Sequence, residues 1–321
     1  MECGWPHHHP AVIDLDALAC LDGLLWLRTG EEVGRRLDLS QPTISRNARK
    51  ALDRFGMELI RRDGEWDLRG EDPILAGERQ VHQQARWLGH RPLRLEATYW
   101  SGPLLASPVP AGWVLGLSNI VGAPRNIELL RQRIVDVWIA GLPDVPPPDD
   151  PAFQTLPLSQ MPLHCVVRAG HPLLQSSDLR FEDLAPYPSL ALPSGAYPLV
   201  EKALKRVGLW STPVRMKRYD RRLWEGRTEE DLTIGYATQL SLAVTGDDMR
   251  VLPLRLPIRT GDALVVRREF ADAPPFLALL GTLRERVLAL AQQHSELEPV
   301  KPVPVVSGSS GTAAAPPRPA L

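Results

Sequence analysis

Between Ser40 and Phe55 the chain is divided lengthwise into two faces of opposite character, which restricts what it can build there more than any other stretch. Ile44, Ala48, Ala51/Leu52 and Phe55 recur at helical spacing and form one apolar stripe. Thr43, Arg46, Arg49 and Lys50 fall on the opposite side, with Gln41 and Ser45 at its edges. Ser40 stands where a helix N-cap accepts the orphan N–H groups, and Pro42 falls in the first turn, where its missing N–H costs little. Upstream, residues 31–37 read as a short helix with Val33 and Leu37 on one face, and Asp38-Leu39 leaves room only for a tight connection. Before that, Leu15, Leu18, Ala19 and 25–27 predict an apolar helix weakened by Gly23. A short helix, a tight turn and a second helix with one cationic, amide-bearing face make a helix-turn-helix. Such a face suits the major groove, where Arg and Gln reach base edges while Ser, Thr and Lys hold phosphates. Glu58 to Leu68 then reads as a hairpin about Asp63-Gly64, a dipeptide that accommodates a type I′ turn. That hairpin is a wing, with Arg61 and Arg62 within reach of a DNA backbone.

Net charge argues the other way, since 37 Lys and Arg against 38 Asp and Glu leave the 321-residue chain at −1, whereas nucleic-acid-binding domains are usually basic. From Ser40 to Arg62, however, six cations (Arg46, Arg49, Lys50, Arg54, Arg61, Arg62) stand against two anions. Attraction to phosphate depends on charge at the contact face, screened over roughly 8–10 Å, so position outweighs the total. The length suggests about two domains, and 44% hydrophobic with 23% charged residues excludes wholesale disorder. No apolar run reaches the roughly 18 residues of a membrane span, and no signal pattern opens the chain, so no membrane role is expected. Cys3, Cys20 and Cys165 are far apart and form no C-x-x-C, which suits a reducing, cytoplasmic setting.

Leu39-Ser40-Gln41-Pro42-Thr43-Ile44-Ser45-Arg46 resembles the recognition-helix signature of LysR-type transcriptional regulators. The resemblance implies an α/β chain overall: a mainly α winged helix-turn-helix at 12–70, a linker and dimerisation helix at 73–90, and a two-lobed effector-binding domain of the type 2 periplasmic-binding-protein kind at 92–296. Lobe 1 would take about 92–160 and 263–296, lobe 2 about 161–262, leaving 297–321 as a disordered Pro-rich tail. It places DNA contacts on Ser40, Gln41, Pro42, Thr43 and Arg46, beside Ser45, Arg49, Lys50, Arg61 and Arg62 from the face itself. Expected partners are double-stranded DNA, a second copy of the chain as homodimer or homotetramer, and RNA polymerase. The chain departs from the family's pattern in carrying Val33-Gly34 where paired alanines are usual and Asn47 where a Gln is common.

Ile74, Val81 and Leu88 recur every seven residues with Ala85 beside them, while Glu78, Arg79, Gln83, Gln84 and Arg86 surround the stripe. This predicts a dimer seam on a helix from Pro73 to about Gly89. Beyond Pro92, strand and helix patterns alternate, predicting an α/β architecture with largely parallel sheets. Strands are expected at 93–99, 113–117, 135–139, 163–167, 189–192, 214–219, 232–237 and 263–267, with the clearest helices at 197–207 and 275–293. The family's ligand cleft lies near strand ends and helix N-termini, whose N–H groups favour anions. The matching positions are Ser101, Ser118, Asn119, Ser194, Tyr197 and Thr238. Pro103, Pro108 and Pro110 predict that the first helix of this domain is cut short, which would remodel the cleft.

No G-x-S-x-G, H-E-x-x-H, P-loop or G-x-G-x-x-G arrangement is present, so no catalytic residue, cofactor or metal is expected beyond a small-molecule effector. Asp149-Asp150 and Asp247-Asp248 read as turn residues, His7 to His9 as a polar terminal segment, and Cys165 as core. Two other readings remain: a DNA-binding regulator without effector sensing, and a solute-binding or enzymatic α/β protein with a helical scaffold.

Overall fold

The computed structural model describes residues 14–70, 73–246 and 248–301. The chain opens with three helices, α1 (Leu15–Leu27), α2 (Gly30–Leu37) and α3 (Gln41–Phe55), followed by the hairpin β1 (Glu58–Arg62) and β2 (Glu65–Arg69). Positive φ at Asp63 (49°) and Gly64 (81°) gives the tight turn its expected form. Gly23 does not break α1: a Cβ there would lie 2.8 Å from Val33 Cγ1, so the missing side chain is what lets α2 close on α1. Ser40 holds the N-cap position of α3 but makes no side-chain cap; its hydroxyl meets Thr43 Oγ1 at 2.9 Å instead.

The helix α4 (Pro73–Trp87) leads to the larger domain, whose main sheet has the order β14-β7-β13-β5-β3-β4, with β6 also on β13. Its strands are β3 (Leu93–Ala97), β4 (Trp113–Leu115), β5 (Val137–Leu142), β6 (Phe153–Pro157), β7 (Ser159–Pro162), β13 (Arg259–Arg267) and β14 (Glu298–Pro299). One-turn α5 (Ser101–Leu104), α6 (Ala123–Arg131) and α10 (Pro274–Ala291) pack with them. A second unit sets β8 (His164–Arg168) between β11 (Gly235–Ala237) and β12 (Met249–Val251), beside the short pair β9 (Leu190–Ala191) and β10 (Thr212–Pro213). Its helices are α7 (Pro198–Lys205), α8 (Glu225–Glu230) and α9 (Gln239–Thr245).

The sheets are mixed rather than largely parallel. The pairs β3–β4 and β3–β5 are parallel, but β13 runs antiparallel to β5, β6 and β7, and β8 is antiparallel to both neighbours. The chain returns late to the first unit through β13, a long-range step that no local pattern announces. Residues 214–219 form no strand; only an isolated bridge joins Arg218 to Ile120. The tail also begins later than expected, because Leu297 is buried and Glu298–Pro299 pairs with β7. Its remainder from 302, and His7 to His9, lie outside the described residues, as does Asp247. Asp150 does serve a turn, accepting from the Ala152 and Phe153 N–H groups.

On α4 the seven-residue apolar stripe lies outward in the single copy, as a seam awaiting a partner requires, and the unexpected feature is the burial of its polar side. Ile74, Val81 and Leu88 are 61%, 62% and 66% exposed, whereas Arg79, Gln83 and Arg86 are buried. Arg79 Nε donates to Asp22 of α1 at 2.9 Å, and Arg86 Nε and Gln83 Nε2 donate to Asp136 at 2.8 and 3.0 Å. The polar stripe is therefore the inner one, held by carboxylates far away in sequence.

Candidate nucleic-acid interface and inter-lobe cleft

Burial of Ile44, Ala48 and Ala51 against α1 fixes the rotation of α3 and turns Gln41, Pro42, Ser45, Arg46, Arg49 and Lys50 outward as exposed side chains, with Thr43 half-buried among them. Arg46 Nη2 lies 3.3 Å from Thr43 Oγ1, and among the described residues neither Arg46 nor Arg49 joins an ion pair. Lys50 stands 3.8 Å from Asp14 across open surface, a contact of little energetic weight. On the wing, Arg62 pairs with Asp67 at 3.3 Å and the Arg61 guanidinium sits 5.5 Å from the Trp66 ring centroid. Asn47 turns away from this face toward Cys20 of α1.

The head is docked on the rest of the chain by directional contacts. Arg218 Nε and Nη2 grip the wing carboxylate Glu65 at 2.9 and 2.7 Å, and Nη2 also reaches the Trp26 carbonyl. Trp26 Nε1 donates to Glu96 at 2.6 Å, a fully enclosed carboxyl that burial pushes above its ordinary pKa. Arg36 bonds the Leu115 carbonyl, and Arg125 the carbonyls of Leu25 and Trp66. None of these partners follows from local pattern, and sequence reasoning missed them all.

Between the two sheet units lies a cavity of about 120 Å³. Of the six sequence-selected positions, Asn119, Tyr197 and Thr238 line it. Ser101 does not: its buried hydroxyl is spent on Asp262. Ser118 lies beside the cavity with its backbone N–H on Glu96, and Ser194 faces a separate groove by the wing. Aromatic walls dominate instead, among them Trp100, Trp210 and Trp224, and Tyr99 stacks on Tyr219 with ring centroids 3.7 Å apart. The unusual balance of nine Trp to five Phe is a signal that could have pointed here, since rings with a polar edge suit a lined, half-wet cavity. Burial raises the Cys165 thiol to about 12, consistent with an inert core position.

Comparison with known proteins agrees with this arrangement. The family model of the LysR substrate binding domain matches residues 120–288. The HTH-type transcriptional regulator PcaQ of Agrobacterium fabrum is 27% identical, over 81% of this chain and 90% of that protein. Among solved structures, a full-length OxyR variant from Pseudomonas aeruginosa superposes with a TM-score of 0.53 at 20% identity, over 92% of this chain and all of that one. Full-length CbnR complexed with its target DNA gives 0.51 at 17% identity, over 85% and 99%. At those identities the two structures attest the fold.

Proposed function

Because the chain belongs to the LysR family of transcriptional regulators, we propose that the exposed face of α3 reads DNA sequence and that the inter-lobe cleft senses a small effector. The observation that carries the first half is the orientation of α3: one buried apolar stripe, with Gln41, Ser45, Arg46 and Arg49 presented together beside a basic wing. Arg46 and Gln41 are the base-reading pair; Ser40, Thr43, Lys50, Arg61 and Arg62 hold phosphates, and Pro42 starts the helix. Two copies meet on the Val81, Ala85 and Leu88 face of α4, with Ile74 on the same stripe, so paired heads read a two-fold site. Contact with RNA polymerase, in the cytoplasm, follows from that role.

Arg218 supports the second half. Its Nη1 bonds Asn119 Oδ1, on the cleft wall, at 3.1 Å, while its other nitrogens hold Glu65 on the wing. One guanidinium thus spans from sensor to reader, and a ligand that moves Asn119 shifts the population of wing positions.

The test begins with genome-wide footprinting to obtain a bound fragment. On it, Arg46→Ala should lower affinity about ten- to hundredfold, the weight of one good base contact, as read by fluorescence anisotropy. Lys50→Ala should instead weaken all sequences evenly and reduce the salt slope by about one. Unchanged affinity in Arg46→Ala would refute the assignment.

A further inference from the structure

At α5, α7 and α9, which begin beside cleft-lining residues, the chain's own groups engage N–H donors of the cap or first turn. At α5, Ser101 N–H goes to Thr98 Oγ1 at 3.3 Å. At α7, the N–H groups of Leu199 and Val200 donate to the Asp144 carboxylate at 2.7 and 3.1 Å. At α9, Thr238 N–H donates to Ser241 Oγ at 2.8 Å and Ser241 N–H to Thr238 Oγ1 at 3.0 Å. The guanidinium bonded to the cleft wall, Arg218, is committed to Glu65, Asn119 and the Trp26 carbonyl. Among the described residues no charged side chain lines the cavity. An anion entering it would lose its water, meet no cation among the described lining residues and find the α7 N–H groups of Leu199 and Val200 already spent, with the carboxyls of Asp144 and Asp262 close behind the walls.

What the walls do offer is flat apolar surface. Tyr99 and Tyr219, one from each sheet unit, lie parallel within 1°, and Trp100, Trp210, Trp224 and Tyr236 complete the enclosure. Its volume of about 120 Å³ is near that of an apolar cavity of ~150 Å³ known to admit benzene.

Building on the reading of the cleft as an effector site, we propose that it takes an uncharged, single-ring aromatic molecule and discriminates against carboxylates, with Asn119 as the polar group that orients the ring. Aromatic faces supply stacking and area; the occupied helix starts supply the discrimination, since a neutral ligand asks nothing of them. Asp144 is the residue that most directly stands in an anion's place.

Benzyl alcohol, benzamide and benzoate share a ring and differ in charge, so they separate the alternatives on the full-length protein. Calorimetry and saturable quenching of tryptophan fluorescence should show both neutral compounds binding at least tenfold more tightly than benzoate, and Val200→Phe, which fills the cavity, should abolish the signal. In Asp144→Ala, which frees the α7 N–H groups, benzoate affinity should rise at least tenfold. Benzoate binding the wild-type chain as tightly as the neutral pair, and lost in Val200→Phe, overturns the ligand class while leaving the sensing role intact. No saturable binding of either neutral compound at millimolar concentration overturns the proposal as well. The sensing role fails on a different result: a neutral probe binds and is lost in Val200→Phe, yet changes neither affinity for the footprinted DNA nor the footprint.

Discussion

Single residues carry unusual weight where α4 meets the two domains. Asp136 is fully enclosed and accepts from Arg86 Nε and Nη2, from Gln83 and from the Arg94 N–H. Removing one member of a buried pair leaves the other charge uncompensated, so Arg86→Ala should cost about 3–5 kcal/mol in urea-unfolding experiments, whereas Arg91→Ala, whose partner Asp16 is on the surface, should cost under about 1 kcal/mol. His82 is buried on the same helix, 3.9 Å from Glu78. Burial disfavours its imidazolium, and the charges of Arg86 and Arg94 add to that against the opposing pull of Asp22, so its pKa lies below the ordinary value. The unfolded chain then takes up the proton first as pH falls. The stability from a neutral His82 is complete above about pH 6.5 and is lost progressively below it. Melting temperatures measured from pH 7.5 to 5 should therefore fall less steeply in His82→Gln than in wild type.

At the scale of elements, α3 and the wing were legible because everything that shapes them is local: Ile44, Ala48 and Ala51 set the rotation, and Asp63-Gly64 sets the turn. The seven-residue stripe of α4 was legible too, but the role of its polar side was not. Arg79 and Arg86 read only as the surround of that stripe, because their partners Asp22 and Asp136 are about fifty residues away in the chain. In the cleft, Ser101 was selected for its place after a strand, and only the fold reveals that Asp262 consumes its hydroxyl. Two expectations belong to this scale. Val81→Glu, on the exposed stripe, should shift the chain toward monomer in sedimentation equilibrium without lowering its melting temperature, because the Val81 side chain is 62% exposed within one copy. Arg218→Ala should raise amide exchange selectively across β1 and β2, since the grip on Glu65 is lost while the hairpin ladder remains.

Taken whole, the molecule does not separate cleanly into reader and sensor. Leu18, Leu21 and Trp26 of α1 belong to one contiguous apolar cluster with Leu129 and Leu130 of α6 and Trp138 and Phe153 of the main sheet. Burial on that scale couples the parts, so calorimetry should record a single transition for head and main sheet, with the van't Hoff and calorimetric enthalpies equal; two resolved transitions would contradict it. The same continuity bears on DNA. A linker of 15 helical residues, roughly 22 Å, whose inner side is pinned by ion pairs, gives each head little room to swing. In a dimer seated on that helix the two heads act like the fixed jaws of a calliper. Whichever partner is softer must then conform to the gap between them, and that partner is the double helix. Operators would be selected partly by how readily the bases between the half-sites bend, at positions no side chain touches.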